Sequence, residues 1–92
     1  MKISLGPRLV SEIYDAMAGA YFDAINNRCD TPELAVTILS LYKKLETGKR
    51  FFELEENEIK ELLTQMDDLA ERIEEWDPSF ARGIRVKIEK IK

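Results

Sequence analysis

The sequence predicts an α-rich α+β fold: a three-helix domain with a short N-terminal strand and a short C-terminal strand. Three long segments repeat apolar residues at spacings of three and four, which is the pattern of a helix with one buried face. Both ends of the chain instead alternate apolar and polar residues, as a strand with one buried face does. The 92 residues form a single domain, 1–92, because no repeat or linker divides them.

The third helix, predicted over residues 54–76, has the clearest pattern. Its apolar face consists of Ile59, Leu62, Leu63, Met66, Leu69, Ala70, Ile73 and Trp76. Glu55 occupies the N-cap position and Glu58 follows three residues later, which is the spacing of a capping box. Pro78 ends the helix, because the residue before a proline avoids the α region. We expect Trp76 to close the apolar face inside the core, and the alternative is an anchor in an interface.

The two earlier helices have well-marked boundaries. The first runs from Pro7 to Asn27, with the proline at its first position. The second begins at residues 31–33, where a threonine cap, a proline and an acid follow one another, and it ends before Gly48. Gly19 interrupts the first helix. It is either a tolerated glycine or a point where another backbone or a ligand approaches closely.

One apolar face from each helix is expected to form the core. The expected core residues are Val10, Ile13, Met17, Tyr21, Leu34, Ile38, Leu41, Leu45, Leu62, Met66, Leu69 and Ile73. The second helix is apolar over more than half of its circumference, since Val36 and Leu39 lie off its main face. Such a helix is either central in the fold or covered by a partner. We therefore expect a homo-oligomer, either a dimer or a higher assembly.

The strands at the two ends are short. Residues 1–5 alternate regularly, and Ile84, Val86 and Ile88 do the same near the C-terminus. A helix stays open for the second segment, because Ile84, Ile88 and Ile91 also fit one helical face. A lone two-stranded ribbon is marginally stable in water. The two strands are therefore expected to pair against the helices or to extend a sheet across a dimer.

The net charge of −4 is unevenly distributed along the chain. Residues 53–77 contain eleven acids and two bases, whereas residues 78–92 contain five bases and one acid. The basic tail either lies against the acidic helix or contacts nucleic acid or an anionic membrane locally. An acidic protein has no general electrostatic reason to bind nucleic acid or an anionic membrane, so neither is expected as a partner. No apolar run approaches the roughly 20 residues of a membrane span.

The residue types available limit the chemistry. The chain has no histidine, and so lacks the commonest general base and the commonest zinc ligand. Cys29 is the single cysteine, which rules out an intramolecular disulfide and suggests the cytoplasm, as does the absence of a secretory signal. We interpret Cys29 as structural or incidental. No catalytic, metal or cofactor motif is present, and we predict a protein that is not an enzyme and uses no cofactor.

Four acids of the third helix point to a function. Glu61, Asp68, Glu71 and Glu75 fall opposite the apolar face. Neighbouring acids on this helix repel one another about as much as its ion pairs attract, so helix stability does not explain the excess. The strip is either a solvated face or a surface that binds a basic partner or imitates nucleic-acid phosphates. The function predicted from it is a small acidic regulator or inhibitor that occupies a partner protein's surface.

A basic cluster supports an alternative function. Its residues are Lys43, Lys44, Lys49, Arg50 and Phe51. Cations here complement the dipole at the end of the second helix, which is the ordinary explanation. The alternative is an oligomeric binder of a nucleotide or another phosphorylated small ligand, with the phenylalanine stacking on a base. Residues 49–53 are otherwise expected to be a plain linker, with one phenylalanine covering the core.

Overall fold

A computed structural model describes residues 1–28 and 31–92, and it confirms the helix-rich fold. Cys29 and the interpretation given to it lie outside these described residues. The elements in the described ranges are β1 (Lys2–Ser4), α1 (Pro7–Ile25), α2 (Pro32–Glu46), β2 (Phe51–Glu53), α3 (Glu56–Ile73) and α4 (Pro78–Ile91). None of the helices in these ranges is long and apolar enough to cross a membrane.

The N-terminal strand is confirmed, but its partner is not the one expected. β1 pairs antiparallel with β2, and Ile3 lies opposite Phe52. Both of these side chains are buried. The backbone N–H of Leu5 extends the pairing by donating to the carbonyl of Arg50. The prediction of a plain linker was therefore wrong for residues 51–53. These residues form a strand because Phe52 reaches the core opposite Ile3 of β1.

The predicted C-terminal strand was also wrong, since this segment is the helix α4. Ile84, Ile88 and Ile91 are buried on one helical face. Val86, which the strand pattern required on the same side as Ile84, is half exposed. The ribbon thus pairs the N-terminus with residues 51–53, and α4 is free to cover α3.

α4 begins at a cap that also ties it to α1. The Asp77 carboxylate accepts a 3.2 Å hydrogen bond from the backbone N–H of Phe80. It accepts a second, of 2.6 Å, from the guanidinium of Arg8. That guanidinium lies 3.8 Å from the centroid of the Phe80 ring. The Arg8 hydrogen bond, together with the Phe80 N–H, holds the pKa of Asp77 below its usual value.

α3 starts where the sequence predicted and ends earlier. The backbone N–H of Glu55 donates to Oε1 of Glu58 at 2.9 Å, which is the expected capping contact. Regular helix stops at Ile73, and a turn follows. Trp76 therefore lies beyond the helix and is 74% exposed. The prediction that Trp76 lies in the core was wrong, because it assumed helical spacing beyond the point where the helix ends.

Two left-handed residues explain where α1 and α2 end. Asn27 has a φ of 58°, so α1 ends at Ile25 and not at Asn27. Gly48 has a φ of 70°, which confirms it as the glycine that ends α2. At Gly19 an added Cβ would meet no atom within 4 Å. No part of the described chain therefore approaches that position closely.

The core lies between the four helices and the ribbon. Most of the expected core residues are buried, whereas Tyr21, Leu34 and Ile73 are half-buried at its edges. Further buried apolar residues come mainly from the ribbon and α4: Ile3, Leu5, Leu9, Ala24, Phe52, Leu54, Ala70, Ala81, Ile84, Ile88 and Ile91. The ribbon and α4 thus close a core that three helices would leave partly open.

Candidate binding surfaces

α3 separates its residues into a buried face and a charged outer face. It contacts α1, α2 and α4. Leu62, Met66 and Ala70 are fully buried between these helices. The apolar face of α3 is therefore occupied by the fold. Its outer face presents carboxylates together with the exposed side chains of Lys60, Thr64 and Arg72.

Several acids near α3 already have a cation. On the side of α3 that faces α4, Arg85 lies 3.4 Å from Asp67 and 3.6 Å from Glu74. At the start of the helix, Glu56 lies 3.8 Å from Lys60. The contacts of Arg85 show that the basic C-terminal segment lies against the acidic helix. This was one of the two arrangements predicted for that segment.

The remaining acids of α3 and its following turn form what we call the acidic strip. It consists of Glu61, Asp68, Glu71 and Glu75. No ion pair involves these residues within the described part of the chain. Glu61 is half-buried and accepts a 3.0 Å hydrogen bond from Gln65, whereas the other three are exposed. The helical spacing places Glu61, Asp68 and Glu71 on one side of α3, and Glu75 lies in the turn that follows the helix.

An exposed aromatic side chain adjoins the acidic strip. Trp76 directly follows Glu75 and is the most exposed of the large apolar side chains. It helps to line a shallow cavity of about 230 Å³ together with Arg8, Ile73 and Phe80. Exposed tryptophans are over-represented among the residues that dominate binding energy in interfaces. The sequence left an interface anchor as the alternative for Trp76, but its exposure was not expected because the helix was predicted to extend through it.

The basic cluster is only partly brought together. Lys44, Lys49 and Phe51 line one shallow cavity of about 230 Å³. Lys43 and Arg50 do not line it. The α-helical turn separates Lys43 from Lys44 by about 100°, so the two ammonium groups point to different sides of α2.

Lys44 is also held by protein oxygens. Its Nζ lies 2.7 Å from Oε1 of Glu58 and 3.0 Å from the backbone carbonyl oxygen of Glu53. A phosphate would have to compete with the carboxylate for this ammonium group. Lys44 is therefore better described as a structural cation than as a free phosphate ligand.

Glu58 is the buried carboxylate that sequence reasoning missed. Its side chain is 3% exposed. Oε1 accepts from Lys44 and from the Glu55 N–H, and Oε2 accepts a 2.8 Å hydrogen bond from Ser40. Burial by itself raises the pKa of Glu58, but these three donors outweigh it and lower the pKa below its usual value. The carboxyl group stays ionised near neutral pH and can act as an acceptor but not as an acid.

Three tyrosines form a half-buried cluster between α1 and α2. The ring centroids of Tyr14 and Tyr42 are 4.3 Å apart, and those of Tyr21 and Tyr42 are 4.2 Å apart and stacked. The hydrogen bond with Tyr42, then burial, then the charge of Glu46 raise the pKa of Tyr14 to about 12. A phenol with so high a pKa stays neutral. The cluster is a packing feature.

A cavity of about 800 Å³ forms an open groove beside the N-terminus. Its cations are Lys44, Lys60, Lys92 and the N-terminal ammonium group of Met1. Each of these lies within 4.0 Å of a carboxylate oxygen. The groove therefore offers no concentration of unpaired positive charge for a phosphorylated ligand.

Comparison with known proteins finds no match: no family model, no curated protein and no solved structure is significantly similar to this chain. Within residues 1–28 and 31–92, no group of three or more potential metal ligands is present. The function has to be argued from the chain itself. The acidic strip contributes four acids that have no ion-pair partner in the described fold.

Proposed function

We propose that this protein is a non-enzymatic binding module, a small acidic regulator or inhibitor that occupies a partner protein's surface through the acidic strip. The observation that carries the proposal is the contrast between paired and unpaired acids. Arg85 neutralises the carboxylates on the side of α3 toward α4. The strip carboxylates have no such cation within the described residues and direct their charge into solvent.

A basic partner surface would supply the missing cations. Like charges one helical turn apart, such as Glu71 and Glu75, repel in the free protein. A complementary surface would relieve this repulsion, speed association and favour one orientation of docking. From Glu61 to Glu75 the strip spans roughly 21 Å at the helical rise. This length is comparable to the width of one side of a standard protein interface. It also suits imitation of a short run of nucleic-acid phosphates.

Trp76 would complete such an interface. It lies at the end of the strip and is exposed over most of its surface. Burying its ring against a partner would contribute an apolar term that charges alone do not provide. The proposed contact surface is therefore the acidic strip with Trp76 at one end.

The binding of a nucleotide or another phosphorylated ligand is a second candidate function. One observation favours it: Lys49 and the exposed ring of Phe51 line the same shallow cavity. The engagement of Lys44 by Glu58 argues against it. Titration calorimetry of the folded protein with a panel of nucleotides tests this function, and the absence of binding heat from all of them would remove it.

The main proposal is tested with two variants that change charge equally. The strip variant carries Glu61→Gln, Asp68→Asn, Glu71→Gln and Glu75→Gln. The control variant carries Glu12→Gln, Asp23→Asn, Glu46→Gln and Glu89→Gln, which also replaces one half-buried and three exposed acids. Both variants and the wild type are immobilised and exposed to extract of the source cells, and the retained proteins are quantified by mass spectrometry.

We expect a partner that wild type and control retain and that the strip variant loses. With that partner purified, its dissociation constant should rise at least about tenfold for the strip variant, and its binding to the wild type should weaken with salt. A specific partner that binds all three proteins equally well would contradict the proposal.

A further inference from the structure

The outward side of the α1–α2 pair carries an apolar patch that no described element covers. Phe22 is 58% exposed and Val36 is 65% exposed. Leu39 of α2 is half-buried, and Ala18 of α1 is exposed. Monomeric proteins commonly expose single apolar residues, but a contiguous patch marks an interaction site. This patch lies on different helices from the acidic strip.

The relative placement of α1 and α2 follows from two contacts. The helices are antiparallel, because Val10 near the start of α1 and Leu45 near the end of α2 line the same cavity. The Tyr42 ring lies within 4.3 Å of both the Tyr14 and the Tyr21 rings. Tyr42 is therefore level with the middle of the stretch from Tyr14 to Tyr21.

This placement sets three pairs of positions at matching levels along the two helices. In each pair the two residues lie at the same height along the helices to within about two to three residues, or roughly 4 Å of helical rise. The pairs are Asp15 with Lys43, Ala18 with Leu39, and Phe22 with Val36. Along α1 the spacings are three and four, and along α2 they are also three and four. Such spacings form the seam of helices that pack at a shallow angle.

The chemistry at these levels is complementary between the two helices. At one level both helices present apolar side chains, Phe22 and Val36. At another they present opposite charges, Asp15 and Lys43, and neither of these has an ion-pair partner among the described residues. Ala18 is small enough to accommodate Leu39.

We propose that a second copy of this chain covers the patch, related by a two-fold axis parallel to α1 and α2. Such an axis preserves levels and places α1 of one protomer on α2 of the other. Phe22 then packs on Val36, and Asp15 pairs with Lys43, twice in the dimer. A two-fold axis perpendicular to the helices and centred on the same face would instead place Phe22 of one protomer against Asp15 of the other.

A second copy fits better than an unrelated protein, because an isologous interface must be self-complementary. The α1–α2 face meets that requirement in both apolar contact and charge. The inference goes beyond the proposed function and does not depend on it. A dimer of this form leaves the acidic strip of each protomer uncovered and presents two strips to a partner.

Sedimentation equilibrium of the full chain tests the apolar half of the proposal. The wild type should sediment at twice the protomer mass of 10.7 kDa. Phe22→Glu and Val36→Glu should each sediment as monomers. Phe51→Glu is the matched control, because Phe51 is 63% exposed but lies on the ribbon, and it should remain dimeric. Circular dichroism verifies that each variant keeps its helices.

A charge exchange tests the register. Asp15→Lys and Lys43→Glu should each raise the dimer dissociation constant about tenfold, and the double variant should recover most of that loss. Recovery is not expected if the two residues do not face each other. The proposal is overturned by a wild type that stays monomeric at submillimolar concentration, by dimers that survive both glutamate substitutions, or by a double variant no tighter than the single ones.

Discussion

Lys44 on α2 donates a 2.7 Å hydrogen bond to Glu58, a carboxylate buried at the first turn of α3. This contact fastens two helices that are separated in sequence by the β2 strand. It also distinguishes two kinds of acid on α3. Glu58 points inward and is saturated by donors, whereas the strip acids point outward and have no cation in the described fold.

The loss of Glu58 should destabilise the protein markedly. Glu58→Ala removes a capping contact, leaves Ser40 without its acceptor and leaves Lys44 with only the Glu53 carbonyl oxygen. The free energy of unfolding should therefore fall by about 2–4 kcal/mol. The exposed neighbour Glu56 makes only a loose pair with Lys60, and Glu56→Ala should change stability by less than about 0.5 kcal/mol. Urea unfolding followed by circular dichroism measures the free energy of unfolding of both variants. Equal losses in the two variants would contradict this role of Glu58.

The stability should decline in acid because of Glu58. Its pKa is lowered in the folded state relative to the ordinary value of 4.5. The unfolded chain therefore takes up a proton first as the pH falls. The stabilisation is fully present above about pH 5 and is lost as the pH falls through the folded-state pKa. Glu58→Gln cannot titrate, so its unfolding free energy should depend less on pH below about pH 5 than that of the wild type. If the unfolding free energies of the two proteins depended on pH in the same way, Glu58 would be excluded as a cause of the loss of stability in acid.

The interior glycines of α1 and α4 should be replaceable with a gain. At Gly19 and Gly83 an added Cβ meets no atom within 4 Å. Gly19→Ala and Gly83→Ala should each raise the free energy of unfolding by about 0.5–1 kcal/mol, because alanine loses less backbone entropy in a helix. Gly48→Ala is the contrasting variant. Its φ of 70° disfavours any side chain, so it should lose stability. Thermal unfolding distinguishes these outcomes, and a destabilised Gly19→Ala would indicate a contact made only in an assembly.

Three helix boundaries of this fold could be read from its sequence. Pro7 and Pro32 start helices, and Gly48 ends one, because each sets a backbone angle by itself. The pairing of Ile3 with Phe52 could not be read in this way. A three-residue strand carries little pattern of its own, and its existence depends on a partner about fifty residues away.

The error at α4 has a specific cause. A strand and a helix both bury Ile84 and Ile88, so these residues cannot decide between them. The deciding feature is Asp77, which was considered only as the end of α3. Its carboxylate also caps the start of α4, and Ile91 then continues the helical face.

The candidate surface was predictable in part for a related reason. Helical spacing alone places Glu61, Asp68 and Glu71 on one side of α3. Which acids lack a cation depends on Arg85, whose two carboxylate contacts come from the packing of α4. The exposure of Trp76 depends on where α3 ends, which the apolar spacing did not show.

Trp76 should report the negative field of the acidic strip. It is the only tryptophan in the chain and is 74% exposed, so its fluorescence should be readily quenched. The cation caesium should quench it more efficiently than the anion iodide, relative to their quenching of free tryptophan, because nearby carboxylates concentrate cations. This preference should shrink in the strip variant and persist in the matched charge control. Equal preferences in all three proteins would show that the strip does not influence the ring.

The most direct test of the central claim, that the acidic strip is surplus to the fold, requires only the protein itself. Urea unfolding at low ionic strength compares the wild type with the strip variant. We predict that the strip variant is as stable as the wild type or more stable by up to about 1 kcal/mol, since mutual repulsion is removed. Asp67→Asn with Glu74→Gln, which removes both carboxylates from Arg85, should instead lose a few tenths of a kcal/mol or more, as roughly expected for exposed pairs. A strip variant that loses more than about 1 kcal/mol would show that these acids support the fold, and the reason for assigning them a binding role would be gone.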